Sequence, residues 1–122
     1  MKKTLFLLYA CFAILVFSCN SSKKNLVGKW TVHYSSGQPI SVDFRENGTF
    51  ESVLPAEHYT VGGEYKLEGD VLSITDTSCG KNYWGKYRAT FFTNDSIYSA
   101  LIEDSCSGRR AAADKATLIR VK

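Results

Sequence analysis

From residue 26 to the end, apolar and polar side chains alternate in short runs separated by turn residues. Ile40-Ser41-Val42-Asp43-Phe44-Arg45 alternates most cleanly, as a strand buried on one face does. It follows a first strand over Leu26 to Tyr34 and a break at Ser35-Ser36-Gly37-Gln38. Glu46-Asn47-Gly48 then turns the chain, Asn-Gly being a strong hairpin signal. Thr49 to Leu54 returns and ends at Pro55. Gly63 to Leu67 predicts a fourth strand, and Glu68-Gly69-Asp70 turns it into Val71 to Thr75. A sixth strand covers Gly85 to Phe92, a seventh Ser96 to Ile102 and an eighth Thr117 to Val121. Two stretches fall outside this pattern: Tyr59 to Gly62 reads as loop, and Arg109 to Lys115 as one helical turn. Eight short antiparallel strands joined by hairpins predict an all-β, up-and-down barrel, whose closure removes the exposed strand edges.

The N-terminus carries a different pattern. After Met1-Lys2-Lys3 come 13 apolar residues, Leu5 to Phe17, with no charge among them. About 20 are needed to span a bilayer core, so a basic start and a run of this length read as a secretory signal. Val16-Phe17-Ser18-Cys19 resembles the bacterial lipobox, with a small residue before the cysteine. The expected organisation is a lipoprotein signal over residues 1–18, a lipidated Cys19 with a polar tether over 19–25, and one barrel domain over 26–122. Two acyl chains already hold a protein stably on a membrane. Asn20 stands where an Asp would direct inner-membrane retention in some bacteria, so the outer membrane, facing the periplasm, is the expected location.

The signal holds two of the 15 Lys and Arg and none of the 12 acids, so the mature charge is +1 rather than +3. That balance gives no basic stripe for nucleic acid. Of the four cysteines, Cys11 leaves with the signal and Cys19 takes the lipid, leaving Cys79 and Cys106 in an oxidising compartment. In a meander the loops after strands five and seven lie at the same end, which lets these two pair. A redox pair would more often show a Cys-x-x-Cys spacing.

Leu26-Val27-Gly28-Lys29-Trp30 resembles the Gly-x-Trp element opening the first strand of lipocalins. Phe44 to Phe50, Gly63 to Asp76 and Asp104 to Arg109 resemble segments of small bacterial lipocalin-like domains. The likeness spans nearly the whole mature chain, although mature lipocalins are usually longer, which leaves a shallow or filled calyx open. The resemblance implies that Trp30 packs at the closed end against a late arginine, here Arg120. It also puts the disulfide at the opposite end, where lipocalins admit ligands. His58, Tyr59, Tyr83, Trp84, Arg109 and Arg110 lie near that end in sequence. They form either the mouth of a small-molecule site or an aromatic cover for the disulfide. Arg109 has Asp76 or Asp104 as alternative partners, an exposed pair of that kind adding about 0–1 kcal/mol.

Other chemistry finds little support. His33 and His58 are the only histidines, too few for a structural zinc with oxidised thiols. There is no Gly-x-Ser-x-Gly elbow and no carboxylate pair for acid–base work. Gly62-Gly63 and Gly80 read as turn glycines rather than a phosphate cradle. Asp95-Ser96-Ile97 resembles a bacterial O-glycosylation triplet. No enzyme and no cofactor are expected. The expectation is an anchored module binding a small apolar or amphipathic molecule, in a cavity lined by Phe44, Leu72, Ile74 and Phe91. The alternative is a filled barrel whose loops, around Tyr83, Trp84, Arg109 and Arg110, contact an envelope protein.

Overall fold

Alternation along each strand sends one set of side chains inward, and eight such strands close on themselves. The computed structural model describes residues 24–122 apart from 36, 56, 57 and 81. The expected signal over 1–18, Cys19 and the expected tether up to residue 23 lie outside the described residues. The strands are β1 (Gly28–His33), β2 (Ile40–Phe44), β3 (Thr49–Leu54), β4 (Tyr59–Glu68), β5 (Val71–Asp76), β6 (Gly85–Thr93), β7 (Ser96–Glu103) and β8 (Ala116–Arg120). A helix, α1 (Ser107–Ala113), precedes β8. The strands follow one another as antiparallel neighbours, and β1 pairs with β8 to complete a closed up-and-down barrel. The barrel is therefore complete within the described residues.

Every strand of the sequence pattern is present, and most bounds move by one or two residues. The exception is Tyr59 to Gly62, which is not loop but the first part of β4, paired with Leu54 to Glu51 of β3. Of the two glycines that suggest a turn there, Gly62 makes only an ordinary contact, with the Phe50 carbonyl, and Gly63 serves a close approach. A Cβ on Gly63 would stand 1.9 Å from the Thr75 carbonyl oxygen, so a larger residue would push β5 away. Gly80, in contrast, does sit in a loop with positive φ. The expected helical turn becomes the seven residues of α1 and starts two residues earlier.

At one end the interior is filled. Trp30 is wholly buried with Leu26, Ala89 and Ile97 in the main core cluster. Register puts Trp30 opposite Arg120, and the guanidinium carbon lies 4.2 Å from the indole centroid, an arrangement contributing about 0.5–2 kcal/mol. Arg120 does more than cover the ring. Its Nη1 donates to the Val27 carbonyl at 2.7 Å and its Nη2 to the Asn25 carbonyl at 2.7 Å. Its Nε pairs with Asp95 at 3.0 Å. It thereby joins the incoming chain to the β6–β7 turn. Gly28 makes this possible, with φ +128° and a Cβ position only 2.8 Å from Arg120 Nη1. Gly-x-Trp is thus a geometric requirement here: no Cβ beside the arginine, then a flat ring beneath it. In the triplet considered for glycosylation, Asp95 is engaged by Arg120 and Ile97 is buried.

Candidate functional site

The other end holds the loops after β1, β3, β5 and β7. There Cys79 and Cys106 form a disulfide, with Cα atoms 5.8 Å apart. Cys106 is the N-cap residue of α1, so the bridge fastens that helix to the β5–β6 loop. Closing a loop of 27 residues stabilises the fold by about 3–4 kcal/mol in the chain-entropy model.

Beneath α1 the barrel is hollow. A half-enclosed cavity of about 380 Å³ runs down from the loops, within the range of about 300–1,000 Å³ typical of small-molecule sites. Its wall is mainly apolar, with Val42, Phe44, Phe50, Leu72, Ile74 and Leu118 contributed by four strands. Ala111, Ala112 and Ala113 of α1 form part of its upper side. Three of the four expected wall residues, Phe44, Leu72 and Ile74, line it. Phe91 does not: it packs against the core cluster, with Lys24 Nζ 5.9 Å from its ring. The reason is position along the barrel, since Phe91 pairs with Ile97 near the filled end.

The polar part of the wall centres on Arg109, which sits on the inward face of α1. Its side chain is only 5 % exposed, so the picture of an exposed surface pair is corrected. Nε donates to Asp104 Oδ2 at 2.7 Å and Nη2 to Oδ1 at 2.9 Å, a two-point clamp. Nη2 also donates to the Tyr83 carbonyl at 2.9 Å. Nη1 lies 3.4 Å from Asp76 Oδ2. The Tyr87 hydroxyl donates to Asp104 as well, and so does the Cys106 backbone N–H. Asp76 in turn accepts from the Ser78 backbone N–H at 2.8 Å. One cluster thus unites β5, β6, the loop before β6, the end of β7 and α1.

Burial alone would raise the Asp104 carboxyl, but hydrogen bonds from Arg109, Tyr87 and Cys106, with the nearby guanidinium charge, hold it below the usual carboxylate range. The Tyr87 hydroxyl is pushed well above the ordinary phenol value, by burial first and then by its bond to Asp104. The Asp104 hydrogen bond keeps Arg109 firmly protonated against its own burial. This is a structural ion cluster that also shapes a cavity wall.

The six residues expected at the mouth divide between places. Tyr59 and Arg109 line the cavity, with Tyr59 half exposed at its rim. Tyr83, Trp84 and Arg110 lie outside it, in a shallow polar depression with Asn82, Glu103 and Ser105. There Tyr83 is 51 % exposed and Lys66 Nζ lies 4.8 Å from the Trp84 centroid. His58 belongs to neither, standing exposed in the β3–β4 loop with φ 49°. Tyr87 escaped the sequence reading, although Gly85, Tyr87, Ala89 and Phe91 share the inward phase of β6 and one of them is polar at its tip. Among the described residues, no group of three His, Cys, Asp or Glu is placed to hold a metal ion, and no helix is long and apolar enough to cross a membrane.

Compared with family models, with curated proteins and with solved structures, the chain matches none.

Proposed function

We propose that this chain is a lipid-anchored module of the bacterial cell envelope, related to the lipocalin-like domains it resembles, and that its barrel holds a small apolar or amphipathic molecule. The observation that carries this reading is the cavity. Side chains of this length usually fill an eight-stranded barrel of small diameter, yet here about 380 Å³ stays open above a filled base. Apolar walls around a buried polar cluster are what a small amphiphile needs. The anchor rests on the sequence: an apolar run of signal length ending at Cys19, followed by a polar tether.

Native mass spectrometry of residues 20–122, purified from periplasm with the disulfide intact, tests the binding reading. A reproducible added mass, lost on denaturation, is expected. A bare mass that takes up no offered fatty acid, haem or isoprenoid would defeat it. Metabolic labelling of the full chain with a palmitate analogue tests the anchor: label is expected on the wild type and none on Cys19→Ala.

A second reading draws on the depression holding Tyr83, Trp84 and Arg110. An exposed tyrosine beside an arginine is a common composition for a protein contact. It predicts that Tyr83→Ala and Arg110→Ala abolish capture of an envelope protein while leaving the cavity's ligand in place.

A further inference from the structure

We propose, resting on the binding reading above, that the cavity selects an amphiphile with an uncharged hydroxyl head, and discriminates against the carboxylate of the same chain length. Among the described residues, Arg109 and Asp76 are the charged residues of the cavity wall, and Asp104 lies directly behind Arg109. Two carboxylates against one guanidinium leave the buried cluster with one negative charge in excess, the exposed Arg110 reaching only the Asp104 backbone carbonyl at 3.3 Å. The two acids are at least nine-tenths buried, where charges are screened far less than in water. An incoming carboxylate meets that excess in a wall whose other polar side chains, Tyr34, Ser52, Tyr59, Ser78 and Ser99, carry no charge.

Hydrogen bonding points the same way. Arg109 Nη1 is buried and makes no hydrogen bond among the described residues. Its contact with Asp76 Oδ2, at 3.4 Å, is an ion pair. The site therefore has a donor that lacks an acceptor, beside a carboxylate oxygen that can accept. A hydroxyl that displaces the Nη1–Asp76 contact serves both, accepting from Nη1, which no water-sized group reaches in the free protein, while donating to Asp76. A carboxylate serves only the donor, and an ether oxygen likewise. A buried guanidinium left without its acceptor favours the ligand that supplies one. Size sets the tail: at about 30 Å³ per water-sized group, the cavity takes roughly a dozen heavy atoms. A ten-carbon alcohol fills it, its head under α1 and its tail among Phe44, Leu72 and Leu118.

The test is displacement of the neutral probe N-phenyl-1-naphthylamine from residues 20–122 at pH 7.5, using 1-decanol, decyl methyl ether and sodium decanoate below their aggregation limits. The alcohol is expected to displace at a concentration about tenfold below decanoate and about fivefold below the ether. The ether comparison is the sharper one, because the ether is the more apolar molecule and partitioning alone ranks it above the alcohol. Asp76→Asn removes the excess charge and is expected to narrow the alcohol-to-decanoate ratio at least fivefold. Decanoate binding as well as decanol, or the ether outranking the alcohol, would overturn the head-group assignment while leaving the binding reading standing. Failure of all three to displace a bound probe, or of the probe to bind, removes the binding reading itself.

Discussion

Arg109 sets three N–H groups against the Asp104 carboxylate and the Tyr83 carbonyl, and points the remaining nitrogen at Asp76. Removing one member of such a buried cluster leaves a charge without compensation, at a cost of about 3–5 kcal/mol. Asp104→Asn should therefore lower the stability of the fold by about 3 kcal/mol at pH 7, measured by urea unfolding. The same residue sets an acid limit. Its folded carboxyl titrates below the unfolded value of about 3.9. Its contribution is whole above that pH and is lost as pH falls through the folded value. Melting temperatures recorded from pH 7 to pH 2 should drop steeply below about pH 4 in the wild type, and less steeply in Asp104→Asn. An identical acid limb in the two proteins would show that other carboxylates govern it. At the opposite end, Arg120→Ala should cost about 2 kcal/mol, through the lost indole contact and the unpaired Asn25 and Val27 carbonyls. Arg120→Lys should recover less than half, since an ammonium lacks the planar fork that reaches both.

Among the elements, α1 is short and weakly capped: its C-cap residue Asp114 is extended, the left-handed turn falls one residue later at Lys115, and Cys106 makes no side-chain N-cap bond. Its hold on the barrel comes from the disulfide, Arg109, and the Leu101 N–H donating to Asp114 at 2.9 Å just past its end. Replacing Cys79 and Cys106 together by serine should lower stability by about 3 kcal/mol. Hydrogen exchange should quicken in α1 and in the 77–84 loop before it does in β2 or β3. Uniform quickening would mean that α1 does not open as a local unit. The elements also mark what sequence can convey. Alternation located all eight strands because half-burial imposes a period of two on each. It failed over Tyr59 to Gly62, where a glycine chosen for close packing against Thr75 looks the same as one chosen for a turn. The disulfide was legible from strand order. Burial of Arg109 was not, because it arises only when α1, β5, β6 and the end of β7 converge. Nor does sequence order separate Tyr59, which faces the cavity, from Tyr83, which faces solvent.

For the whole molecule, a barrel filled at one end and hollow at the other separates stability from binding. Ser52 and Ala116 both point into the hollow. Ser52→Phe with Ala116→Leu should fill it at a stability change within about 1 kcal/mol, since the added groups enter existing space rather than displace neighbours. Displacement of the naphthylamine probe should vanish in that variant. In the wild type, a ligand present at a hundred times its dissociation constant should add about 2.7 kcal/mol of apparent stability. The filled variant should show none of that gain, and a gain that persisted would locate the ligand elsewhere.

The arginine clasp at the filled end has a consequence for reach. It grips the chain at Asn25 and Val27, six residues beyond the cysteine proposed to carry the lipid. Six residues extend at most about 20 Å, so a lipid on Cys19, as proposed, would hold the barrel's floor near the bilayer. The opening beneath α1 would then face outward into the aqueous space. Cargo would be exchanged with molecules or proteins arriving from that side, rather than drawn directly out of the leaflet below.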